Sequence, residues 1–208
     1  MEVMTSGGPA RAELDEPGQP EFLLVLTHGA GGGVDSPDLL AARGAALELG
    51  GAVARVLQPY RVRGSRTPGA PGRQDAAWLE VMGWLRQRFP AIPLVQGGRS
   101  NGARVACRTA RAAEARAVVA LAFPLHPPGR PERSRVDELR AAGTNVLVVN
   151  GDRDPFGIPD QADVPALVRV VVLPGETHSL SRQPRAVGQA VASWLRELLV
   201  PVTRAAGP

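Results

Sequence analysis

Apolar positions along this chain fall into short unbroken runs rather than alternating ones. Phe22-Leu23-Leu24-Val25-Leu26 is apolar throughout, and residues 117–123 repeat the pattern. Residues 52–57, 94–97, 145–149 and 168–173 are further short, mostly apolar stretches, with Arg55, Gln96, Asn145 and Arg169 as their polar members. Such runs fit strands buried on both faces, as in a parallel sheet, although a short buried helix has the same pattern. Helical spacing separates them. Ser36-Pro37-Asp38 predicts a helix to about Leu49, with Ser36 as N-cap and Pro37 at its first position. Residues 73–89 place Ala77, Trp78, Val81, Met82 and Leu85 on one face, and Pro90 and Pro93 end that helix. A helix follows Ser100, a short one covers 136–142, and an amphipathic one covers about 184–199. Six strands alternating with helices predict a doubly wound, mostly parallel α/β sheet with helices on both faces. One domain spans residues 21–200. Residues 1–20, with Gly7-Gly8-Pro9, Pro17-Gly18 and Pro20, read as a flexible tail, and 201–208 as another.

The corner after the third strand carries the first chemical signal. Gly98-Arg99-Ser100-Asn101-Gly102 has the form G-x-S-x-G between a strand and a helix, the pattern of a nucleophile elbow. The turn forces its serine into a strained conformation. The hydroxyl then lies at a helix N-terminus, where N–H groups favour negative charge. With 24 glycines in the chain the pattern alone is weak, so it needs partners. In open α/β sheets ligands bind beyond the carboxyl ends of the strands. His28-Gly29 follows the first strand, Ser100 the third, Asp154 the fifth and His178 the sixth. The order Ser100, Asp154, His178 is that of α/β-hydrolases, in which a base activates the serine and a carboxylate orients the base.

Composition narrows the class. The chain has 208 residues, 44% hydrophobic and only 4% aromatic, enough for one core built on Val, Leu and Ala. Its 24 basic residues are all arginine, and the net charge is only +4. Without a dense basic block this is a composition bias, and no nucleic-acid partner is expected. Cys107 is the single cysteine, so no internal disulfide and no structural zinc site is expected. The start lacks the charged and apolar regions of a signal peptide, and the longest apolar run is far too short to span a membrane. The expectation is a soluble cytoplasmic protein without a membrane partner, a metal or a cofactor.

The residues now resemble a known family. Thr27-His28-Gly29-Ala30-Gly31-Gly32, Gly97-Gly98-Arg99-Ser100 and Phe123-Pro124-Leu125-His126-Pro127-Pro128-Gly129 look like the KANL3/Tex30 group of α/β-hydrolases, near the dienelactone hydrolases. The likeness covers about residues 21–200. It departs at Asn101, where an apolar residue is expected, and from dienelactone hydrolases in using serine rather than cysteine. The resemblance implies a serine hydrolase scaffold and leaves the substrate open. Ser100 would attack an acyl carbon, His178 would carry the proton and Asp154 would orient the imidazole. The backbone N–H groups of Ala30 and Asn101 would hold the oxyanion.

Several positions keep alternatives. Asp152 competes with Asp154 for the acid, with the third position after the strand-closing glycine favouring Asp154 and a turn cap explaining Asp152. His28 precedes the oxyanion loop and reads as structural or substrate-lining. His126 follows a strand and lines the pocket or sits in a solvated loop. Arg61, Arg63 and Arg66 lie on the long connection 58–72, which either meets an anionic substrate group or is a solvated mobile loop. Arg104, Arg108 and Arg111 read as a solvated helix stripe, and Cys107 as a small core residue. Only about twenty residues separate the fourth and fifth strands, too few for a folded lid. The leading expectation is a cofactor-free hydrolase of a small-molecule ester, thioester or related acyl bond. The alternative is a non-catalytic scaffold that kept the fold; a peptidase or acyltransferase would use the same residues.

Overall fold

A computed structural model describes residues 1–199. Its strands are β1 (Glu2–Thr5), β2 (Gly8–Asp15), β3 (Leu23–Thr27), β4 (Ala52–Leu57), β5 (Leu94–Arg99), β6 (Ala117–Leu121), β7 (Asn145–Gly151) and β8 (Val168–Leu173). They form one sheet in the order β1-β2-β4-β3-β5-β6-β7-β8. The six expected strands make its parallel block, from β4 to β8. The helices are α1 (Pro37–Glu48), α2 (Pro59–Val62), α3 (Pro71–Arg88), α4 (Asn101–Thr109), α5 (Val136–Arg140) and α6 (Pro184–Leu199).

The sheet has two further strands where a flexible tail was expected. β1 and β2 form an antiparallel hairpin turning at Ser6-Gly7, and β2 pairs antiparallel with β4 from Arg11↔Leu57 to Asp15↔Val53. Val3, Ala10 and Ala12 are buried while Arg11 and Glu13 face out, a period-two pattern written in small residues. The expected tail at 201–208 lies outside the described residues.

Strand alternation sorts the core onto two faces. Leu24 and Leu26 of β3 pack with Leu39 of α1 and with Val187, Val191 and Leu195 of α6. Leu23 and Val25 point the other way, against Trp78, Val81, Met82 and Leu85 of α3. On that second face Val118, Ala120, Val146 and Val148 meet Ala103, Ala106 and Cys107 of α4 and Leu139 of α5. Gln96 is the polar exception in β5, fully buried. Trp78 Nε1 donates to its Oε1 at 2.8 Å, and its Nε2 donates to Ala106 O at 2.8 Å and Thr109 Oγ1 at 3.2 Å. The amide is satisfied and ties α3 and α4 to one strand.

Three local expectations are corrected. The connection expected over 58–72 holds helix α2, with Pro59 and Tyr60 buried, and the first two residues of α3. Ser36 occupies the N-cap position of α1 but makes no side-chain cap bond, and its buried Oγ has no partner. Asp38 in the first turn accepts from Leu39 N instead, at 3.0 Å. Arg104 and Arg108 are not a solvated stripe: Arg104 pairs with Glu138, and Arg108 with both Asp75 and Glu138. Between β6 and β7 the only helix is the five-residue α5, so no lid covers the strand ends.

Deleting residues 2–15 uncovers the edge of β4 and the face under Ala10 and Ala12. The truncated protein should lose at least about 5 °C in Tm and aggregate on heating. Thermal unfolding of the two forms checks this; equal Tm values would mean a dispensable tail.

Candidate active site

The elbow is built by close approach. Ser100 sits between β5 and α4 at φ 51 and ψ −114, a left-handed φ for a residue with a side chain. A Cβ on Gly98 would lie 2.5 Å from Thr27 O, and one on Gly102 would lie 2.7 Å from Thr27 O and 2.8 Å from His28 O. Both are backbone atoms that cannot swing away, so only glycine lets α4 start on top of β3. Ser100 N donates to Leu121 O at 2.9 Å, pinning the turn to β6.

Three side chains from three strand ends meet in one hydrogen-bonded chain. His178 Nε2 lies 2.8 Å from Ser100 Oγ, and His178 Nδ1 lies 2.8 Å from Asp154 Oδ2. Asp154 has a fully buried side chain, while that of His178 is 19% exposed. An ionised carboxylate only accepts, so the proton on Nδ1 faces Asp154 and Nε2 accepts from the Ser100 hydroxyl. Asp154 is further held by Phe156 N at 2.9 Å on Oδ1 and by Asn150 Nδ2 at 3.4 Å on Oδ2. Asp152 is elsewhere: it is exposed and accepts from Gly175 N at 2.7 Å, bracing the turn after β8.

The loop after β3 lies against the serine. A Cβ on Gly29 would stand 3.4 Å from Ser100 Cβ. Its carbonyls are held by side chains. Gly29 O is 2.7 Å from His28 Nδ1 and also accepts from Gly32 N at 3.2 Å; Tyr60 OH donates to Ala30 O at 2.9 Å; Arg61 Nε donates to Gly32 O at 2.8 Å. In a trans peptide the C=O and N–H point opposite ways. Fixing Gly29 O on His28 therefore turns the Ala30 N–H to the other side. Among the described residues neither Ala30 N–H nor Asn101 N–H has a hydrogen-bond acceptor. These are two unspent donors beside Ser100, one of them in the first turn of α4.

The other expected residues are placed differently. His28 does not line a pocket. It is fully buried, and Gln58 N donates to its Nε2 at 2.9 Å, so Nδ1 carries the proton. Burial pushes its pKa down to about 4. His126 is half-buried; its Nδ1 is 2.8 Å from Pro127 O, and its ring packs on Gly157. Arg61 is spent on Gly32 O and on Ser65 O at 3.0 Å, and Arg63 donates to Gly7 O in the β1–β2 hairpin. Cys107 is buried, and burial pushes its thiol pKa up.

Sequence reasoning missed three supports. Phe156 stacks on His178, with ring centroids 4.1 Å apart. Arg99 runs from the elbow to Asp38 (Nε to Oδ2, 2.9 Å) and to the backbone oxygen of His178 (Nη2, 2.7 Å). Asn101 Nδ2 donates to Gln74 Oε1 at 2.7 Å, holding the site to α3. Arg99 stood inside a recognised segment, but no periodicity reveals the partner of a side chain. Among the described residues no group of three His, Cys, Asp or Glu side chains could hold a metal, and no helix is long and apolar enough to cross a membrane. A surface recess of about 640 Å³ lies between α1 and α6, and Ser100 does not line it.

The parallel sheet, the strained serine corner and the open strand ends define a hydrolase of the α/β-hydrolase fold. The family described as alpha/beta hydrolase domain matches residues 20–202, and the chain belongs to it. No curated protein matches the chain by sequence. Among solved structures it is similar to Est1E from Butyrivibrio proteoclasticus, a structure with ferulic acid bound, at 18% identity over 96% of this chain and 99% of that one, TM-score 0.74. It is similar to a serine hydrolase without lid from Xanthomonas campestris at 21% identity, over 98% and 95% of the two chains, TM-score 0.73. A dienelactone hydrolase from Anabaena variabilis matches at 19% identity, over 95% of each chain, TM-score 0.74. These likenesses are of fold.

The buried His28 makes stability depend on pH. Its folded pKa of about 4 lies below the ordinary 6.5. Between those values the unfolded chain binds a proton that the folded chain refuses, so stability falls as pH drops through this window. The contribution lost between pH 7.5 and pH 5 is about 2 kcal/mol. Urea midpoints at the two pH values measure it. His28→Asn should show a smaller difference between the two than wild type, and an equal one would assign the dependence to other groups.

Proposed function

We propose that this chain is a serine hydrolase that cleaves an ester, thioester or related acyl bond of a small molecule through an acyl-enzyme. The observation that carries the reading is the unbroken chain Asp154–His178–Ser100, with 2.8 Å at both links. Ser100 Oγ attacks the acyl carbon as its proton passes to His178 Nε2. The negative charge formed on the acyl oxygen is taken by the N–H groups of Ala30 and Asn101. Asp154 steadies the imidazolium without taking its proton. Collapse breaks the acyl–oxygen or acyl–sulfur bond, and the leaving group departs with the proton from Nε2. Water then repeats the sequence and frees the carboxylic acid and the serine. Asn101 supplies its N–H from the backbone, so its departure from the family pattern leaves this step intact. Within its family we assign the chain to the KANL3/Tex30 group, on the segments 97–100 and 123–129.

A fluorophosphonate probe should label the wild-type protein and not Ser100→Ala, and His178→Ala should abolish labelling. Asp154→Asn should lower kcat on an activated ester about 10⁴-fold, whereas Asp152→Asn should stay within a few-fold. No labelling of the folded wild-type protein would turn the reading to a scaffold that kept the fold.

A further inference from the structure

Helix α2 and its connection to α3 carry three arginines, and two of them are spent on backbone carbonyls. Arg61 holds Gly32 O and Ser65 O, and Arg63 holds Gly7 O. Arg66 differs. Its Nε and Nη2 lie 3.5 Å from where a Gly31 Cβ would stand, so the guanidinium rests on the loop that carries Ala30. Among the described residues it has no ion-pair or hydrogen-bond partner, and it is exposed. The segment that presents it is moored on both sides. Tyr60 OH binds Ala30 O, Ser65 N donates to Tyr60 O at 2.9 Å, and Gln74 Nε2 donates to Gly69 O at 2.7 Å. Gln74 is itself held by Asn101, the neighbour of Ser100.

We propose that Arg66 anchors an anionic group of the substrate, so that the preferred acyl compound bears a carboxylate close to its scissile carbonyl. This rests on the serine hydrolase reading above. The two backbone donors serve the oxyanion, which leaves the guanidinium for a second charge. The Arg66 guanidinium rests on Gly31, one residue beyond Ala30, and is exposed. A planar guanidinium offers donors in a fork that fits a carboxylate with two parallel bonds. Its uncompensated charge also draws anionic substrates to the site.

The test compares kcat/KM for the 4-nitrophenyl monoester of succinic acid with that for 4-nitrophenyl butyrate, using the full chain. The wild type should favour the acidic ester, and that preference should shrink as salt is raised. Arg66→Gln should lower the acidic-to-neutral ratio at least about tenfold, the scale of one charge-assisted contact. Arg66→Lys should restore part of the ratio, and Arg66→Glu should depress it further. Glutarate should slow fluorophosphonate labelling of Ser100 in the wild type and not in Arg66→Gln. A ratio that ignores all three substitutions, with both esters turned over, overturns the role of Arg66 alone. No turnover of either ester by folded protein overturns the hydrolase reading and this one with it.

Discussion

Helix α4 starts directly on the end of β3, and the site depends on that contact having no clearance. Gly98 and Gly102 both face Thr27 O at distances no Cβ could share. The chain turns from strand to helix within one residue, and that residue is Ser100 at φ 51. A left-handed serine costs of the order of 1–3 kcal/mol, and it persists because its surroundings over-determine it. Leu121 O takes its N–H, and Arg104 N donates to its O at 3.2 Å. The same crossing that imposes the strain sets the hydroxyl beside the loop after β3 and at the first turn of α4.

Arg99 carries this arrangement into two other loops. Its partner Asp38 is fully buried, and its own side chain is 16% exposed, so both charges have left most of their water. A pair of this kind contributes little net stability, because desolvation offsets the Coulomb attraction. Its effect is positional. One guanidinium reaches from the elbow to the first turn of α1 and to the carbonyl of His178, and a Cβ on Gly29 would stand 2.9 Å from its Nη1. His178, Ser100 and the loop with the unspent donors thus share one strut.

What could be read beforehand follows from how each feature is encoded. The parallel strands were legible because burial on both faces writes itself as consecutive apolar residues, as in residues 22–26 and Ala117–Leu121. The site order was legible because sheet topology sends Ser100, Asp154 and His178 to the same edge. The β1–β2 hairpin was not, since its inward residues include Ala10 and Ala12, small side chains among Gly, Pro and charges, where composition resembles a tail. The competition between Asp152 and Asp154 needed coordinates, because two residues of loop decide which carboxylate turns inward. The partners of Arg99, Arg104 and Arg108 come from segments at least thirty residues away, where local patterns carry no information.

The loop after β3 raises the opposite problem to the elbow. Gly29-Ala30-Gly31-Gly32-Gly33 has little intrinsic preference for any one shape, and ordering it costs backbone entropy. The structure meets this with side chains from outside the loop rather than with residues in it. His28, Tyr60 and Arg61 each hold one carbonyl, and every held carbonyl fixes the N–H of the next residue. None of the three donors changes charge near neutral pH: burial holds the His28 pKa down to about 4 and pushes that of Tyr60 up to about 12, and arginine stays charged. The clasp therefore keeps its geometry across the range in which a histidine base ordinarily titrates. On the proposed reading, a pH dependence of turnover in that range reports the reacting groups and the substrate, not the loop proposed to receive the oxyanion.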